Sequence, residues 1–271
     1  MRIASLQPSI SITLAGLDRL DTLCACTRYC VEALPELATR NLPVLEDSWT
    51  FARPGNFEIL LAAKPDLVIA SVPYRMESFA AILKSGLPIL ALTPHNLAGI
   101  ATDIRLIASL VDARQRGDAL NQQMSTTIEA IRLKTTGVSK PLVYCEEWGK
   151  PLIHSQQWVA ELVDAAGGRY LGIPGAHTTA EQIAAADPDI LLFAWCGAGD
   201  RVPLARVIEQ RSWHSLRAVQ SRNVFCVPDE FLNTPAPTLS EGLASIAGAT
   251  HPDLFPPHPR VIRLAEPLIV R

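Results

Sequence analysis

The sequence predicts an α/β fold of two Rossmann-like lobes joined by a single long, rigid helix, with a ligand cleft between the lobes. Three observations predict it: short apolar runs alternate with helical stretches, one turn pattern occurs in both halves, and the longest helical stretch lies between them. A chain of 271 residues also suits two lobes better than one average domain. We expect an N-terminal lobe over 1–111, a linking helix over 112–136 and a C-terminal lobe over 137–271.

The apolar runs are short enough for buried strands, and the stretches between them have the spacing of amphipathic helices. Strands alternating with helices are typical of parallel βα units. The predicted strands are Arg2–Leu6, Thr22–Cys26, Val44, Leu67–Ala70, Ile89–Leu92, Pro141–Cys145, Ile190–Ala194 and Asn223–Val227. The predicted helices among them are Asn56–Ala63, Met76–Ser85, Gln157–Ala166 and Thr238–Ala247.

The same phrase introduces a strand in each half. Ala63-Lys64-Pro65-Asp66-Leu67 and Ala186-Asp187-Pro188-Asp189-Ile190 both give the end of a helix, a Pro stop, an Asp turn and then a buried strand. This repetition indicates two similar lobes.

The stretch between the halves predicts the linking helix. Asp112 is a candidate N-cap, and apolar residues recur three or four positions apart as far as Ile131. A helix of about 20 residues spans about 30 Å, which is roughly the width of a lobe. The alternative is one more surface helix in a single large domain.

Composition excludes several classes of function. Hydrophobic residues make up 48% of the chain and the net charge is −3, so the sequence predicts real cores and no nucleic-acid partner. The six cysteines have no zinc-ligand spacing and are expected to be free thiols. The chain starts without a recognisable signal peptide, which predicts a cytoplasmic protein, or a periplasmic one if Met1 has replaced a leader.

Catalytic signatures are absent from the sequence. It has no GxSxG, P-loop or GxGxxG motif, and its six histidines are scattered, so we expect neither an enzyme nor a metal centre nor an intrinsic cofactor. Gly197-Ala198-Gly199 follows a predicted strand, but it lacks the third glycine of a dinucleotide fingerprint.

Aromatic residues instead follow the predicted strands, where ligands bind in α/β folds. Trp158 and Trp213 lie on helical stretches and are expected to be packing residues. Glu146 and Glu147 are adjacent in an extended segment, so at most one of them faces a ligand. The candidate ligand-binding residues are Tyr29, Cys30, Trp49, Phe51, Tyr74, Arg75, Glu147, Trp148, Trp195 and Cys196.

Several segments resemble the vitamin-B12/iron-siderophore type (cluster A, class III) of ABC-transporter substrate-binding protein. The likeness runs through nearly the whole chain, from Ile3–Ser11 and Thr27–Cys30 to Glu147-Trp148, Gln157–Gly168, Ala184–Gly197 and Phe231–Leu239. It implies a monomeric, non-enzymatic protein that binds cobalamin or a related metal chelate between its lobes and delivers it to an ABC permease. It also implies that Glu77 and Glu209 are the carboxylates that pair with the permease.

Some residues depart from the family pattern. Ala236 and Thr238 replace a usual Gly and Arg, and Trp195 replaces a common Pro before Cys196. These changes suggest a ligand other than cobalamin. Two alternatives therefore stay open: a cytoplasmic relative that senses or stores a ligand without a permease, and an enzyme on the same frame.

Overall fold

We describe the protein from a computed structural model, over residues 1–46, 55–72 and 76–264. Internal contacts divide the chain into two compact units. Unit 1 is Met1–Gln123 with Pro235–Pro237, and unit 2 is Met124–Thr234 with Thr238–Arg271. The α/β fold with two lobes is therefore confirmed. The lobe boundaries at 111 and 137 stay a prediction.

Unit 1 contains a five-stranded parallel sheet of order β3-β2-β1-β4-β5. This order places the first strand in the centre and lets the chain wind outwards in both directions, as in doubly wound folds. All five strands were predicted from the sequence. They are β1 (Ile3–Ser5), β2 (Leu23–Thr27), β3 (Val44–Leu45), β4 (Leu67–Ser71) and β5 (Ile89–Leu92).

Helices cover the sheet of unit 1, and successive residues of a strand pack into different cores. Ile3 and Ile69 pack with Ile10 and Leu14 of the first helix, whereas Ala4 and Val68 belong to a second cluster. Burial of both faces explains why these strands read as uninterrupted apolar runs. The helices are α1 (Pro8–Gly16), α2 (Arg28–Ala33), α3 (Asn56–Ala62), α4 (Met76–Lys84), α5 (Leu97–Leu110) and the long α6 (Arg114–Lys134).

Unit 2 is built on a seven-stranded sheet in which β12-β11-β10-β6-β7-β9 are neighbours and β8 pairs with β6. The strands β6 (Leu142–Gly149), β8 (Arg169–Tyr170), β10 (Ile190–Phe193) and β11 (Val224–Cys226) are parallel. Three shorter strands add to it in the antiparallel sense: β7 (Leu152–His154), β9 (His177–Thr178) and β12 (Ile262–Arg263). The sequence analysis missed these three and β8, because two or three residues carry no periodicity.

Helices of unit 2 enclose its core. Tyr144, Leu191, Phe193 and Trp213 form a cluster with residues of the helix that follows β10, and α7 packs on α12. The helices are α7 (Gln157–Ala165), α8 (Ala180–Ala186), α9 (Leu204–Gln210), α10 (Arg217–Gln220), α11 (Asp229–Leu232) and α12 (Leu239–Thr250).

The repeated Pro-Asp sequence makes the same type of hydrogen bond in each unit. The Asp66 carboxylate accepts a 2.7 Å hydrogen bond from the backbone N–H of Arg2, just before β1. The Asp189 carboxylate accepts one of the same length from the N–H of Leu142, at the start of β6. Lys64 and Asp187 both have a left-handed backbone, which ends the preceding helix. Each phrase therefore ties the start of one central strand to its neighbour.

The predicted linking helix is present as α6, with 21 residues, and the division between the units falls within it. The predicted N-cap at Asp112 is wrong. This residue has a φ of 53°, and the helix begins two positions later at Arg114. Asp112 thus lies in a tight left-handed turn between α5 and α6, a conformation that Asp adopts more readily than most residues.

The expectation of free thiols is confirmed. All six cysteines are free, and five of them are buried, as expected for thiols that pack in cores. Over residues 1–46, 55–72 and 76–264, no helix has the length and apolar character needed to cross a membrane.

Gly242 lets α12 approach α11 closely, and we expect Gly242→Ala to destabilise the protein. An added Cβ would overlap the backbone oxygen of Phe231. Alanine normally stabilises a helix by about 0.5–1 kcal/mol relative to glycine, but overpacking costs about 1–3 kcal/mol. We therefore expect a net loss of about 1–2 kcal/mol in the free energy of unfolding, measured by urea titration.

Gly99→Ala in α5 is the matched control. The atoms nearest to its added Cβ lie at 3.4 Å, an ordinary contact distance, so this change should be neutral or slightly stabilising. Equal urea midpoints for Gly242→Ala and the unmodified protein would contradict the tight contact.

Candidate functional site

Parallel register brings the ends of three strands of unit 2 to one edge of the sheet. Phe193 of β10 is in register with Glu146 of β6 and with Cys226 of β11. The pairing continues past β10, where the N–H of Cys196 donates to the carbonyl oxygen of Glu147 at 3.1 Å. The segments after β10 and β11 therefore leave the sheet beside the end of β6. This edge, which holds Glu147, Trp148, Trp195, Cys196 and Asp229, is called the carboxyl edge below.

A buried carboxylate, that of Glu146, fixes the position of residues at the carboxyl edge. Glu146 is fully buried and forms a two-bond ion pair with Arg211, with N–O distances of 2.7 and 2.8 Å. It also accepts hydrogen bonds from the Tyr144 hydroxyl at 2.5 Å and from the Trp195 indole N–H at 2.8 Å. Four donors satisfy a charge that would otherwise be very costly to bury.

Trp195 is held at both ends of its ring. The N–H end is bonded to Glu146, and the benzene end lies so close to Gly149 that an added Cβ there would be 2.5 Å from Cζ2. Phe193 contacts the indole edge-on, with ring centroids 6.5 Å apart. Glycine at position 149 is therefore a requirement of this packing, and Trp195 stays half-buried with part of its surface open.

Trp148 is the most accessible aromatic residue of the carboxyl edge, with 44% of its surface exposed. Its indole N–H donates to the Lys150 carbonyl oxygen at 2.8 Å, in the turn between β6 and β7. An exposed indole whose polar atom is already satisfied offers a largely apolar face to a partner.

Glu147 and Cys196 form a second polar pair at this edge. The Cys196 Sγ lies 3.8 Å from Glu147 Oε1, and Gln156 donates to Glu147 Oε2 at 2.7 Å. Burial raises the pKa of the Glu147 carboxyl, and these two hydrogen bonds partly oppose the shift. Burial, with Glu147 nearby, also raises the pKa of the Cys196 thiol, which is therefore protonated at neutral pH.

The Gly197-Ala198-Gly199 segment is a turn that a carboxylate of the same unit fills. Both glycines have left-handed φ angles of 76° and 60°, and their N–H groups donate to Asp229 at 2.8 Å. Asp229 therefore already accepts the hydrogen bonds that these two amides would otherwise donate to a phosphate. Burial raises its pKa, and the two backbone hydrogen bonds lower it again in part.

Two of the candidate residues of unit 1, Tyr29 and Cys30, lie at the start of α2. Tyr29 is half-buried, and the Arg28 guanidinium lies 4.7 Å from the centre of its ring. Cys30 is fully buried, with its Sγ 3.2 Å from the Thr27 hydroxyl, so the structure makes it part of the core and leaves it no surface for a ligand. Trp49, Phe51, Tyr74 and Arg75 lie outside the described residues.

The two carboxylates assigned to a permease are both on helix surfaces. Glu77 lies in the first turn of α4, and Glu209 lies near the end of α9; both are exposed.

The predicted packing roles of the other tryptophans are confirmed. Trp158 and Trp213 are buried, and their indole N–H groups donate to backbone carbonyls of Leu232 and Ala180.

Two concave sites within the units involve none of the predicted ligand residues. One, of about 270 Å³, lies in unit 2 beside His154 and His177, and one of about 360 Å³ lies in unit 1 beside Asp18 and Arg40. Over the described ranges, no group of three or more His, Cys, Asp or Glu side chains has the geometry of a metal site.

Sequence reasoning missed Arg211 and Gly149. Arg211 follows α9, 65 positions after its partner Glu146, and nothing in the local sequence connects the two. The sequence analysis expected at most one of Glu146 and Glu147 to face a ligand and the other to be a solvated carboxylate, whereas Glu146 is fully buried.

Arg211→Met is expected to lower the free energy of unfolding by about 3–5 kcal/mol, because it leaves Glu146 buried without a counterion. The triple variant Tyr144→Phe, Glu146→Leu, Arg211→Met removes the whole polar cluster and should regain most of that loss. Urea unfolding of both variants makes the comparison. A triple variant as unstable as Arg211→Met would show that the cluster matters for packing and not for charge.

Glu147→Gln should stabilise the protein at neutral pH. Because burial raises the pKa of Glu147 above its usual 4.5, the carboxyl favours folding while it is protonated, and this contribution is lost as pH rises through the raised pKa. Glutamine still accepts a bond from Gln156 but carries no charge. The variant should exceed the unmodified protein in urea midpoint at about pH 7 and match it at about pH 4; equal gains at both pH values would contradict the assignment.

Comparison with known proteins identifies relatives of this fold. The sequence pattern of the family described as periplasmic binding protein matches residues 3–231. Among curated proteins no match is found.

Solved structures are similar over nearly the whole chain. A periplasmic haem-binding protein from Pseudomonas aeruginosa has a TM-score of 0.82 at 19% identity and covers 98% of both chains. The periplasmic vitamin B12 binding protein of Vibrio cholerae has a TM-score of 0.73 at 20% identity, covering 92% of this chain and 96% of its own. A molybdate-binding periplasmic protein of Haemophilus influenzae has a TM-score of 0.75 at 20% identity, covering 93% and 86%.

At these identities the structural likeness concerns the fold, whereas the sequence pattern identifies the family. The match covers well over half of the chain and confirms the resemblance on which the sequence analysis relied. The chain belongs to the periplasmic binding protein family.

Proposed function

We propose that this protein is the substrate-binding component of an ABC import system and that its ligand is a bulky metal chelate of the corrinoid or tetrapyrrole class. The observation that carries the proposal is the pair of indoles at the carboxyl edge of unit 2. Trp148 is exposed, and Trp195 is fixed by its N–H and by Gly149 with part of its surface open. Rigid aromatic surfaces of this kind bind large flat ligands with little loss of side-chain entropy.

The similar structures support this ligand class. Two of them bind haem and vitamin B12, both of which are large macrocyclic metal chelates. Molybdate, the ligand of a third, is a small anion and would need donors in place of aromatic surface. At the carboxyl edge the Gly197 and Gly199 amides, which are suited to an anion, are already taken by Asp229. The chemistry of this edge therefore favours a chelate over an oxyanion.

The titratable groups of the carboxyl edge favour binding over catalysis. Glu146 is saturated by its four donors, and Glu147 is bonded to Gln156 and Cys196. A general base needs a free lone pair near the reacting atom, and a nucleophilic cysteine needs a lowered pKa, whereas the pKa of Cys196 is raised. An enzymatic role has no support in these contacts.

The proposed ligand-binding residues of unit 2 are Glu147, Trp148, Trp195 and Cys196. The family likeness supports a second ligand-binding surface, in unit 1, and a ligand cleft between the lobes. Its proposed residues are Tyr29, Trp49, Phe51, Tyr74 and Arg75.

An ABC permease is the proposed protein partner, with Glu77 and Glu209 as the contact carboxylates. Both are exposed on helices, which suits a docking role. The relatives are periplasmic, and a periplasmic location belongs to this proposal. The second candidate, a cytoplasmic protein that senses or stores the ligand, is favoured by the six free cysteines, since reducing compartments keep thiols unpaired.

A ligand panel tests the proposal. Purified protein is titrated calorimetrically with cobalamin, cobinamide, haemin and a ferric siderophore, with molybdate as the small-anion comparison. Binding of one chelate with a Kd below about 1 μM is expected, since family members have preformed sites. Failure of all the chelates, or tight binding of molybdate alone, would contradict the proposed ligand class.

Trp148→Ala should weaken binding of that chelate at least about tenfold, which corresponds to about 1.4 kcal/mol of lost contact. Because the side chain is largely exposed, the melting temperature should change little. Leu133→Ala, which removes another exposed apolar side chain of the chain, is the control and should affect neither quantity. A large fall in melting temperature with unchanged affinity would make Trp148 a packing residue.

A further inference from the structure

Both oxygens of the Glu146 carboxylate are bonded by donors from three residues. Its Oε1 accepts from Trp195 Nε1 and from one nitrogen of Arg211, both at 2.8 Å, and its Oε2 accepts from Tyr144 and the other nitrogen of Arg211. Donors on both oxygens prevent rotation of the carboxylate. Buried ion pairs are weak contributors to stability, because the cost of desolvation offsets the attraction. Such a cluster is better suited to fixing an orientation.

Arg211, the counterion, is itself immobilised. Only 10% of its side chain is exposed, and its guanidinium lies 4.8 Å from the Trp213 ring centre and 5.8 Å from that of Phe193. Trp213 is anchored in turn by a bond to the Ala180 carbonyl oxygen. The guanidinium is therefore held between these contacts and presents the edge that carries its two terminal nitrogens to Glu146, so the charge pair has one available geometry.

Trp195 is the member of the cluster that lies at the carboxyl edge. Tyr144 and Glu146 are fully buried, while Trp195 is half-buried at the carboxyl edge. Its N–H end is bound to Glu146 and its other end abuts Gly149, so both the position and the plane of the indole are set from within unit 2.

From this geometry we propose that Glu146 and Arg211 are positioning residues: they hold the Trp195 indole in the orientation that receives the ligand. The inference rests on the proposed function, in that Trp195 contacts the ligand there. Glu146 and Arg211 lie beneath the indole and act through it. Fixing the ring in advance lowers the entropy lost on binding and therefore raises affinity.

The test measures the indole directly. In ¹⁵N-labelled protein, the Trp195 indole N–H resonance is assigned by its loss in Trp195→Phe, and its hydrogen-exchange rate is measured without ligand. The variant is Tyr144→Phe, Glu146→Leu, Arg211→Met, in which apolar side chains replace the whole cluster. The control is Arg132→Met, which breaks an exposed ion pair with Glu129 in α6 and leaves Glu146, Arg211 and Trp195 unchanged.

We expect the triple variant to unfold cooperatively, to exchange the Trp195 indole hydrogen at least about tenfold faster, and to bind the chelate at least about tenfold more weakly. The control should match the unmodified protein in both. A folded triple variant with unchanged exchange and chemical shift of the Trp195 indole would overturn the positioning role. So would faster exchange with undiminished affinity.

Gly149→Ala provides a second route if the triple variant fails to fold. Its Cβ meets the Trp195 ring but leaves the charges untouched, so it should shift the indole resonance and weaken binding of the same chelate. A shifted resonance with undiminished affinity for the chelate would overturn the proposal, because the orientation of Trp195 would then not matter for the ligand. The exchange measurement needs no ligand. If the unmodified protein binds no chelate of the panel, the proposed function fails, but the effect of Glu146 and Arg211 on the orientation of Trp195 can still be measured.

Discussion

The buried carboxylate of Glu146 is the constraint on which the carboxyl edge of unit 2 depends. Placing a full charge in a protein interior is costly unless donors surround it, and this cost forces Tyr144, Trp195 and Arg211 to converge on one point. Arg211 in turn packs against Trp213 in the core. One electrostatic requirement therefore links the hydrophobic core to an aromatic surface residue, and the orientation of Trp195 follows from the packing of the interior.

A second constraint is shared by the two units. In each, an Asp after a Pro accepts a hydrogen bond from the backbone at the start of a central strand, and a left-handed residue ends the helix before it. The geometry recurs because a parallel strand needs a neighbour at a fixed offset. The Asp carboxylate just before one strand sets that offset by bonding to the backbone N–H at the start of the neighbouring strand. The two halves therefore share a hydrogen-bonding geometry as well as a sequence pattern, and the shared geometry accounts for the repeated pattern.

The chemistry of the carboxyl edge is that of a receptor. Its carboxylates and thiol are bonded to one another, to the side chain of Gln156 or to backbone amides, and the pKa shifts of Glu147 and Cys196 both favour the neutral form. Neutral, mutually satisfied polar groups beside exposed indole suit an extended ligand with an apolar face. The same features give little help to a reaction that needs a free base or nucleophile.

The sequence by itself determined the strands, the long helix, the repeated Pro-Asp turn and the packing roles of Trp158 and Trp213, because each depends on periodicity or on neighbouring residues. It misplaced the start of α6 at Asp112 and missed β7, β8, β9 and β12, where two or three residues hold no pattern and tertiary contacts decide. It offered Cys30 as a ligand residue, whereas tertiary packing buries it. Only the tertiary structure joined Glu146 to Arg211 and placed Gly149 against Trp195, because partners 65 and 46 positions apart leave no mark on local sequence.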